Sequence, residues 1–273
     1  MTHSPASHVS SDDPVGDRYA AAHGIAIAAG ETALRYFERR ETLAIDPKTS
    51  LQDVVSEADR QVETEIRAAI AARYPEDGLV GEEHGSAAGA SGYIWVIDPI
   101  DGTSPFLCGQ PNWCVSIALV GPDGIAAGVI HAPVPGETYA ARRGHGAFLN
   151  ERRLAMASSA DIATAPVAFG ASAKADPAEV GAFAEALYRA GGVMFQNGSG
   201  ALMLGYVAAR RLSGYYDPTI NAWDCYAGLV LVEEAGGTAL FEGNLDKSGR
   251  LYAGSVRVVD DLTRLAEASR GRS

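Results

Sequence analysis

The stretch Tyr93-Ile94-Trp95-Val96-Ile97-Asp98-Pro99-Ile100-Asp101-Gly102-Thr103 decides how this chain is read. An unbroken apolar run predicts a strand over Tyr93–Ile97 that ends abruptly at Asp98-Pro99. Two carboxylates follow where that strand leaves the interior. Asp-Pro and Asp-Gly are good turn formers, so either aspartate alone has a structural explanation. The same pattern recurs at two other places: Glu82 and Glu83 follow Leu79-Val80-Gly81, and Asp224 opens an otherwise apolar helix, where it could simply favour the helix dipole. Carboxylates at the ends of core strands can converge at one sheet edge. Clustered, they repel unless protonated or bridged by a cation. Oxygen donors without histidine or cysteine select Mg²⁺, Mn²⁺ or Ca²⁺ over zinc.

Working outward, the pattern predicts helices over Asp17–Arg40, Ser56–Arg73, Pro177–Ala190, Ser199–Arg211, Trp223–Ala235 and Asp260–Ala268. Strands are predicted at Leu79–Val80, Trp113–Val120, Ile125–His131, Tyr139–Arg142, Ala147–Leu149, Val167–Gly170, Gly214–Asp217 and Thr238–Phe241. Gly121-Pro122-Asp123-Gly124 is a hairpin signal between two of them. Helices and strands mix throughout, which argues for layered α/β or α+β packing. We expect a tail over 1–16, an N-terminal α+β half over 17–150 holding most of the acidic sites, and a C-terminal α/β half over 151–273 that completes them.

The chain carries 22 Lys and Arg against 34 Asp and Glu, a net charge of −12. That field repels nucleic acid and anionic membrane, and an anionic substrate needs a bound cation to reverse it locally. Apolar residues make 47% of the chain, too many for a disordered polyanion. Three cysteines give no disulfide framework or zinc spacing. Met1–Gly16 is polar and lacks the basic and apolar regions of a signal peptide, so a cytoplasmic protein with a loose tail is expected. The sequence has no Gly-x-Ser-x-Gly elbow, no phosphate-binding Gly-x-x-x-x-Gly-Lys-Ser/Thr loop and no His-Glu-x-x-His. The Asp-x-Asp-Gly-Thr pattern of haloacid dehalogenases fails too, because two residues separate Asp98 from Asp101.

Taken together, Gly81-Glu82-Glu83-His84-Gly85, Trp95 to Thr103, Asn221-Ala222-Trp223-Asp224 to Gly228, and Glu233 to Gly237 resemble the inositol monophosphatase family in order and interval. Lys48 to Asp59 resembles its remaining segment, and the resemblance covers about Asp17–Ala268. It implies a five-layer αβαβα sandwich and a phosphomonoesterase with two or three Mg²⁺ ions, Mn²⁺ being an alternative. By that resemblance Glu82, Asp98 and the Ile100 carbonyl hold one metal, Asp98, Asp101 and Asp224 a second, and Glu82 touches a third. Thr103 and Glu82 orient the attacking water, with Asp59 supporting Thr103. Asp59 also completes Ser56-Glu57-Ala58-Asp59, a spacing like a capping box. Gly102 and Thr103 would present backbone N–H groups to phosphate.

The resemblance implies a small-molecule phosphate ester as substrate and a homodimer, while the net negative charge leads us to expect no nucleic-acid or membrane partner. Asp217 stands where members acting on inositol phosphate accept sugar hydroxyls, and Gly198-Ser199-Gly200 matches the segment bordering the ring. Ser199 reads equally as a helix N-cap. Asp101 could also accept a hydroxyl. Phe106-Leu107-Cys108-Gly109-Gln110-Pro111 instead resembles the family's histidinol-phosphate phosphatases, while Trp223 and Asp217 favour inositol phosphate. A specialised bisphosphate or nucleotide phosphatase would need a second basic cluster, for which Arg142, Arg143, Arg152 and Arg153 are the candidates. A regulatory, RNA-polymerase-binding role is the alternative from outside enzymology.

Overall fold

The computed structural model describes residues 13–42, 45–50, 53–157, 160–172 and 175–270, with backbone alone at 42, 45–50 and 53–56. The rest of the expected N-terminal tail, the side chain of Lys48 and that of Ser56 lie outside the described residues. Helices are α1 (Pro14–Glu38), α2 (Glu57–Arg73), α3 (Thr103–Leu107), α4 (Pro177–Arg189), α5 (Gly200–Ala208), α6 (Ala222–Glu234) and α7 (Val256–Arg270). After a small hairpin of β1 (Ile45–Ser50) and β2 (Asp53–Ser56) come β3 (Gly78–Gly81), β4 (Gly85–Ala87), β5 (Ile94–Asp101), β6 (Cys114–Gly121), β7 (Gly124–Ala132), β8 (Glu137–Arg142), β9 (Gly146–Leu149) and β10 (Arg152–Arg153). The second half adds β11 (Val167–Phe169), β12 (Met194–Phe195), β13 (Gly214–Ile220), β14 (Thr238–Phe241) and β15 (Gly249–Gly254).

Strands β3 to β10 form one sheet in the order β10-β9-β8-β7-β6-β5-β3-β4, and β11 to β15 form another in the order β12-β11-β13-β15-β14. Helices α1 and α2 cover the outer face of the large sheet. Helices α5 and α6 lie between the two sheets, and α4 with α7 covers the outer face of the small one. These are five alternating layers, αβαβα, as expected.

The side-chain alternation of a strand explains the layers. On β6, Val115, Ile117 and Leu119 pack toward α1 and α2, while Cys114 and Ala118 pack toward α5 and α6. On the small sheet Tyr215, Leu251 and Ala253 face the central helices, whereas Tyr216 and Tyr252 face α4 and α7. Both faces are covered, so the central strands read as continuous apolar runs. The large sheet runs on to Arg153, past Asn150, and one core joins residues of both halves.

Several element boundaries differ from the sequence expectation. Helix α1 starts at Pro14, because the Asp13 carboxylate accepts the Gly16 N–H at 2.9 Å and proline is pre-set for a first turn. Strand β5 does not end at Asp98-Pro99; it continues to Asp101 across a register shift. Proline removes one ladder N–H, and the strand bulges around it rather than stopping. Strand β13 likewise continues past Asp217 to Ile220, with a shift at Pro218. Helix α5 ends at Ala208, ahead of Arg210, whose φ of 62° is left-handed. Strand β15 was not expected, since glycines and Arg250 hide its short apolar core of Leu251–Ala253. Helix α7 begins at Val256, earlier than Asp260, and Ser255 Oγ caps the Val258 N–H at 3.3 Å. No described helix is long and apolar enough to cross a membrane.

Candidate active site

The large sheet delivers the first group of side chains. Glu82 follows β3, its N–H donating to the Ile97 carbonyl at 3.3 Å, which places it beside the end of β5. In the β5 bulge the Asp98 carboxylate accepts the Ile100 N–H at 3.0 Å. This Asx-type turn replaces the bond that Pro99 cannot make. Asp101 closes the strand. Gly102 follows with φ 96°, where a Cβ would lie 2.7 Å from the Asn112 carbonyl oxygen, so backbone angle and space both require glycine. Thr103 begins α3. Its hydroxyl lies 3.4 Å from an Asp59 oxygen and 3.3 Å from the Ile100 carbonyl, both long contacts for one proton. Asp59 is fully buried behind it on α2.

The central helices and the small sheet supply the rest. Asp224 is the third residue of α6, and its Oδ2 accepts the Asn221 N–H at 3.1 Å and the Asn221 amide at 2.9 Å, a capping box. The helix-start explanation therefore holds, and the same carboxylate also reaches Glu82 and Asp98. Asp217 sits in the β13 bulge, accepting the Thr219 N–H at 2.9 Å and the Tyr215 hydroxyl at 2.8 Å. Gly198 and Gly200 line the cleft with it, but Ser199 does not. Ser199 is fully buried, caps α5 through the Leu202 N–H at 3.3 Å, and donates its hydroxyl proton to Asp101 Oδ2 at 2.6 Å. Of its two readings the N-cap is the one present, because a hydroxyl sealed beneath Asp101 cannot meet a ligand.

Glu82, Asp98, Ile100, Asp101, Gly102, Thr103, Gly198, Gly200, Asp217 and Asp224 thus share one cleft of about 470 Å³. Among the described residues that line it, five are acidic and none is Lys, Arg or His. One carboxylate oxygen from each of Glu82, Asp98 and Asp224 lies within 4.8 Å of the others. Asp101 stands apart from that trio. Besides Ser199 it accepts the N–H groups of Gly200 at 3.2 Å and Ala201 at 2.6 Å, at the start of α5.

Burial, then the charges of Glu82, Asp101 and Asp224, hold the Asp98 carboxyl well above the usual range. Burial and Asp224 push Asp101 up to about 7, against the opposing hydrogen bonds of Ser199, Ala201 and Gly200. Burial raises Asp217 to about 6. Such a set is strained as bare anions and relaxed by a divalent cation. All-oxygen donors at this spacing fit Mg²⁺ or Mn²⁺.

Sequence reasoning passed over much of the neutral part of the lining, Ser172, Gln196, Tyr215 and Thr219, which no spacing singles out. It also missed Glu63, fully buried on α2. That residue had a signal: an acidic residue beside Val62 and Ile66 on the apolar face of the helix.

The five-layer sandwich with a carboxylate trio in its cleft is an α/β architecture carrying a site that could hold a metal ion. The chain belongs to the inositol monophosphatase family, whose model matches residues 16–267. It is 35% identical over 241 residues to the Nus factor SuhB of Haemophilus influenzae, covering 86% of this chain and 90% of that protein. It is 38% identical over 216 residues to the inositol-1-monophosphatase of Mesorhizobium japonicum, covering 78% and 80%. It is 37% identical over 214 residues to the histidinol-phosphatase of Chlorobaculum parvum, covering 78% and 81%. The crystal structure of the extragenic suppressor protein suhB from Bartonella henselae superposes with a TM-score of 0.86 at 30% identity, covering 92% and 98%.

Proposed function

We propose that this protein is a Mg²⁺-dependent phosphomonoesterase acting on a small polyol phosphate, with inositol 1-phosphate as the favoured substrate. The observation that carries the reading is the trio of Glu82, Asp98 and Asp224 in a cleft whose described lining offers no cationic side chain. An anionic ester would be repelled there without a cation.

Glu82, Asp98 and Asp224 would hold the cation, with the Ile100 carbonyl and Asp101 as the further donors that the family resemblance implies. When bound, Mg²⁺ neutralises phosphoryl charge and acidifies a water. The chain's own residues do the positioning. Thr103 stands near Asp59 and the Ile100 carbonyl as candidate acceptors for its proton, which would leave its oxygen to accept from the attacking water. Asp101 is fixed by three donors at the start of α5, so it does not have to be ordered at each turnover. Asp217 spends one bond on each oxygen and keeps acceptor capacity for substrate hydroxyls.

Phosphate release with Mg²⁺ from a panel of inositol phosphates, histidinol phosphate, sugar phosphates and nucleotides tests the reading. The highest kcat/KM should fall on inositol 1-phosphate. No release from any member of the panel would sink it. Preference for histidinol phosphate would favour the second reading, which the Phe106–Pro111 segment and the histidinol-phosphatase relative support. There the ammonium would pair with Asp217. The relative named a Nus factor supports a regulatory role instead. Retention of RNA polymerase by a catalytically dead Asp98→Asn variant would separate that role from hydrolysis. The reading takes the protein as a homodimer, as the family resemblance implies, and as cytoplasmic, as the polar N-terminal sequence suggests; light scattering in solution checks the dimer.

A further inference from the structure

We infer that Glu63 is a positioning residue for Glu82: a buried carboxylate on α2 that clamps the turn from which Glu82 reaches the cleft. The inference rests on the metal role proposed for Glu82. Glu63 has no exposed surface, although it is charged and stands between Val62 and Ile66. Burial of an ionised group is costly unless every lone pair is used. Its Oε2 accepts the Glu83 N–H at 2.7 Å, and its Oε1 accepts the His84 N–H at 3.2 Å and the Arg67 Nε–H at 2.6 Å. Arg67 in turn donates to the Gly85 carbonyl. Thr64, next on the helix, meets the His84 ring at 2.9 Å. Three neighbouring side chains of one helix therefore hold the main chain and one ring of the Glu83–Gly85 turn.

The space confirms a fitted contact. A Cβ on Gly81 would lie 2.1 Å from Glu63 Oε1, so the strand end is glycine where the carboxylate passes beneath it. Glu63 also lies one helical turn beyond Asp59, and both are fully buried on the same side of α2. One rigid helix thus sets Thr103 through Asp59 and Glu82 through Glu63. Ligand carboxylates lose affinity for metal when the groups that orient them are removed.

The test is calorimetric Mn²⁺ binding to the full, metal-stripped chain. Glu63→Ala should weaken binding about 10- to 100-fold. Glu63→Gln keeps an acceptor oxygen but loses the pairing with Arg67, and should weaken it less. Val62→Ala, which truncates a buried neighbour on the same helix, should lower Tm and leave Mn²⁺ affinity unchanged. Wild-type affinity in Glu63→Ala overturns the inference; if that variant does not fold, wild-type affinity in Glu63→Gln does so. Equal weakening by Val62→Ala also overturns it, since general loosening would then be the cause. Failure of the wild-type chain to bind Mn²⁺ overturns the metal reading itself.

Discussion

Ser199 donates its hydroxyl proton to Asp101 Oδ2 at 2.6 Å, tying the bulged end of a large-sheet strand to the first turn of a helix that lies between the sheets. The two residues are remote in sequence and belong to opposite halves of the chain. Asp101 sits where the positive end of the α5 dipole favours a negative charge, and the N–H groups of Gly200 and Ala201 add to it. Ser199→Ala should remove this bond and the cap on Leu202 together. Loss of a cap costs roughly 0.5–2 kcal/mol. Denaturant unfolding should show at least that loss, and kcat/KM should fall because Asp101 is freed. Unchanged stability would mean that a water or a neighbouring group replaces the hydroxyl.

Metal dependence is the most direct expectation. Asp98 is the most enclosed member of the trio, flanked by Glu82 and Asp224. Chelation should abolish phosphate release and added Mg²⁺ should restore it. Asp98→Asn keeps the shape but halves the donor strength and removes a charge, so activity should fall to near background. Full turnover after verified metal removal would refute this. Inhibition by lithium is a further expectation that rests only on the family resemblance, and a flat lithium titration would weaken that resemblance without disproving phosphatase activity.

The acidic sites were legible because local chemistry marks them: Glu82, Asp98, Asp101 and Asp224 all stand where apolar elements end. The layers were legible for a related reason, since strands buried on both faces read as apolar runs. What the sequence hid was continuation through proline. Asp98-Pro99-Ile100 and Asp217-Pro218-Thr219 make the same device in different sheets, the aspartate accepting the N–H two residues on at 3.0 Å and 2.9 Å. Read locally, each is a strand end; in the sheet each is a bulge that turns a carboxylate into the cleft. The partners of Glu63 and Ser199 escaped for another reason. The roles of these two residues depend on partners 20 and 98 residues away, which no local pattern encodes.

Thr103 tests the positioning of the nucleophile. Its hydroxyl lies 3.4 Å from Asp59 and 3.3 Å from the Ile100 carbonyl, and in the proposed role its oxygen would receive a water. Thr103→Ala should reduce kcat by on the order of 10²-fold or more, with Mn²⁺ affinity little changed. Thr103→Ser should retain much of the rate, because the hydroxyl remains. Wild-type rates in both variants would remove the hydroxyl from the mechanism.

Asp217 makes stability depend on pH. Burial raises its pKa from 3.8 to about 6, so the folded chain binds this proton more tightly than the unfolded chain does. Stabilisation from that proton is complete below the unfolded value and is lost as pH rises through the folded one. In chelator, the contribution of Asp217 should decline between about pH 4 and pH 6 and then level off. Asp217→Asn should remove that component while leaving the one from Asp101, whose folded value is about 7. Thermal unfolding across pH 4–8 reads the difference. An unchanged slope between pH 4 and 6 in the variant would show that Asp217 is not the titrating group.

The same residue decides between substrate classes. Its two oxygens each carry one protein hydrogen bond, from Tyr215 and from Thr219, and the side chain lines the cleft beyond the carboxylate trio. Hydrogen bonds to a charged group contribute roughly 1.5–3 kcal/mol. Asp217→Ala should therefore lower kcat/KM for inositol 1-phosphate by about ten- to a hundredfold. A small aryl phosphate has no ring hydroxyls and should be nearly unaffected, because the trio is untouched. Histidinol phosphate must be run alongside, since its ammonium would also favour a carboxylate and its loss would be comparable. Tyr215 supplies an internal control: Tyr215→Phe removes one donor to Asp217 and leaves that oxygen freer to bind a hydroxyl, so it should not copy the Asp217→Ala loss. Equal losses on polyol and aryl substrates would reduce Asp217 to a turn former at Pro218, and the polyol preference would lose its physical basis.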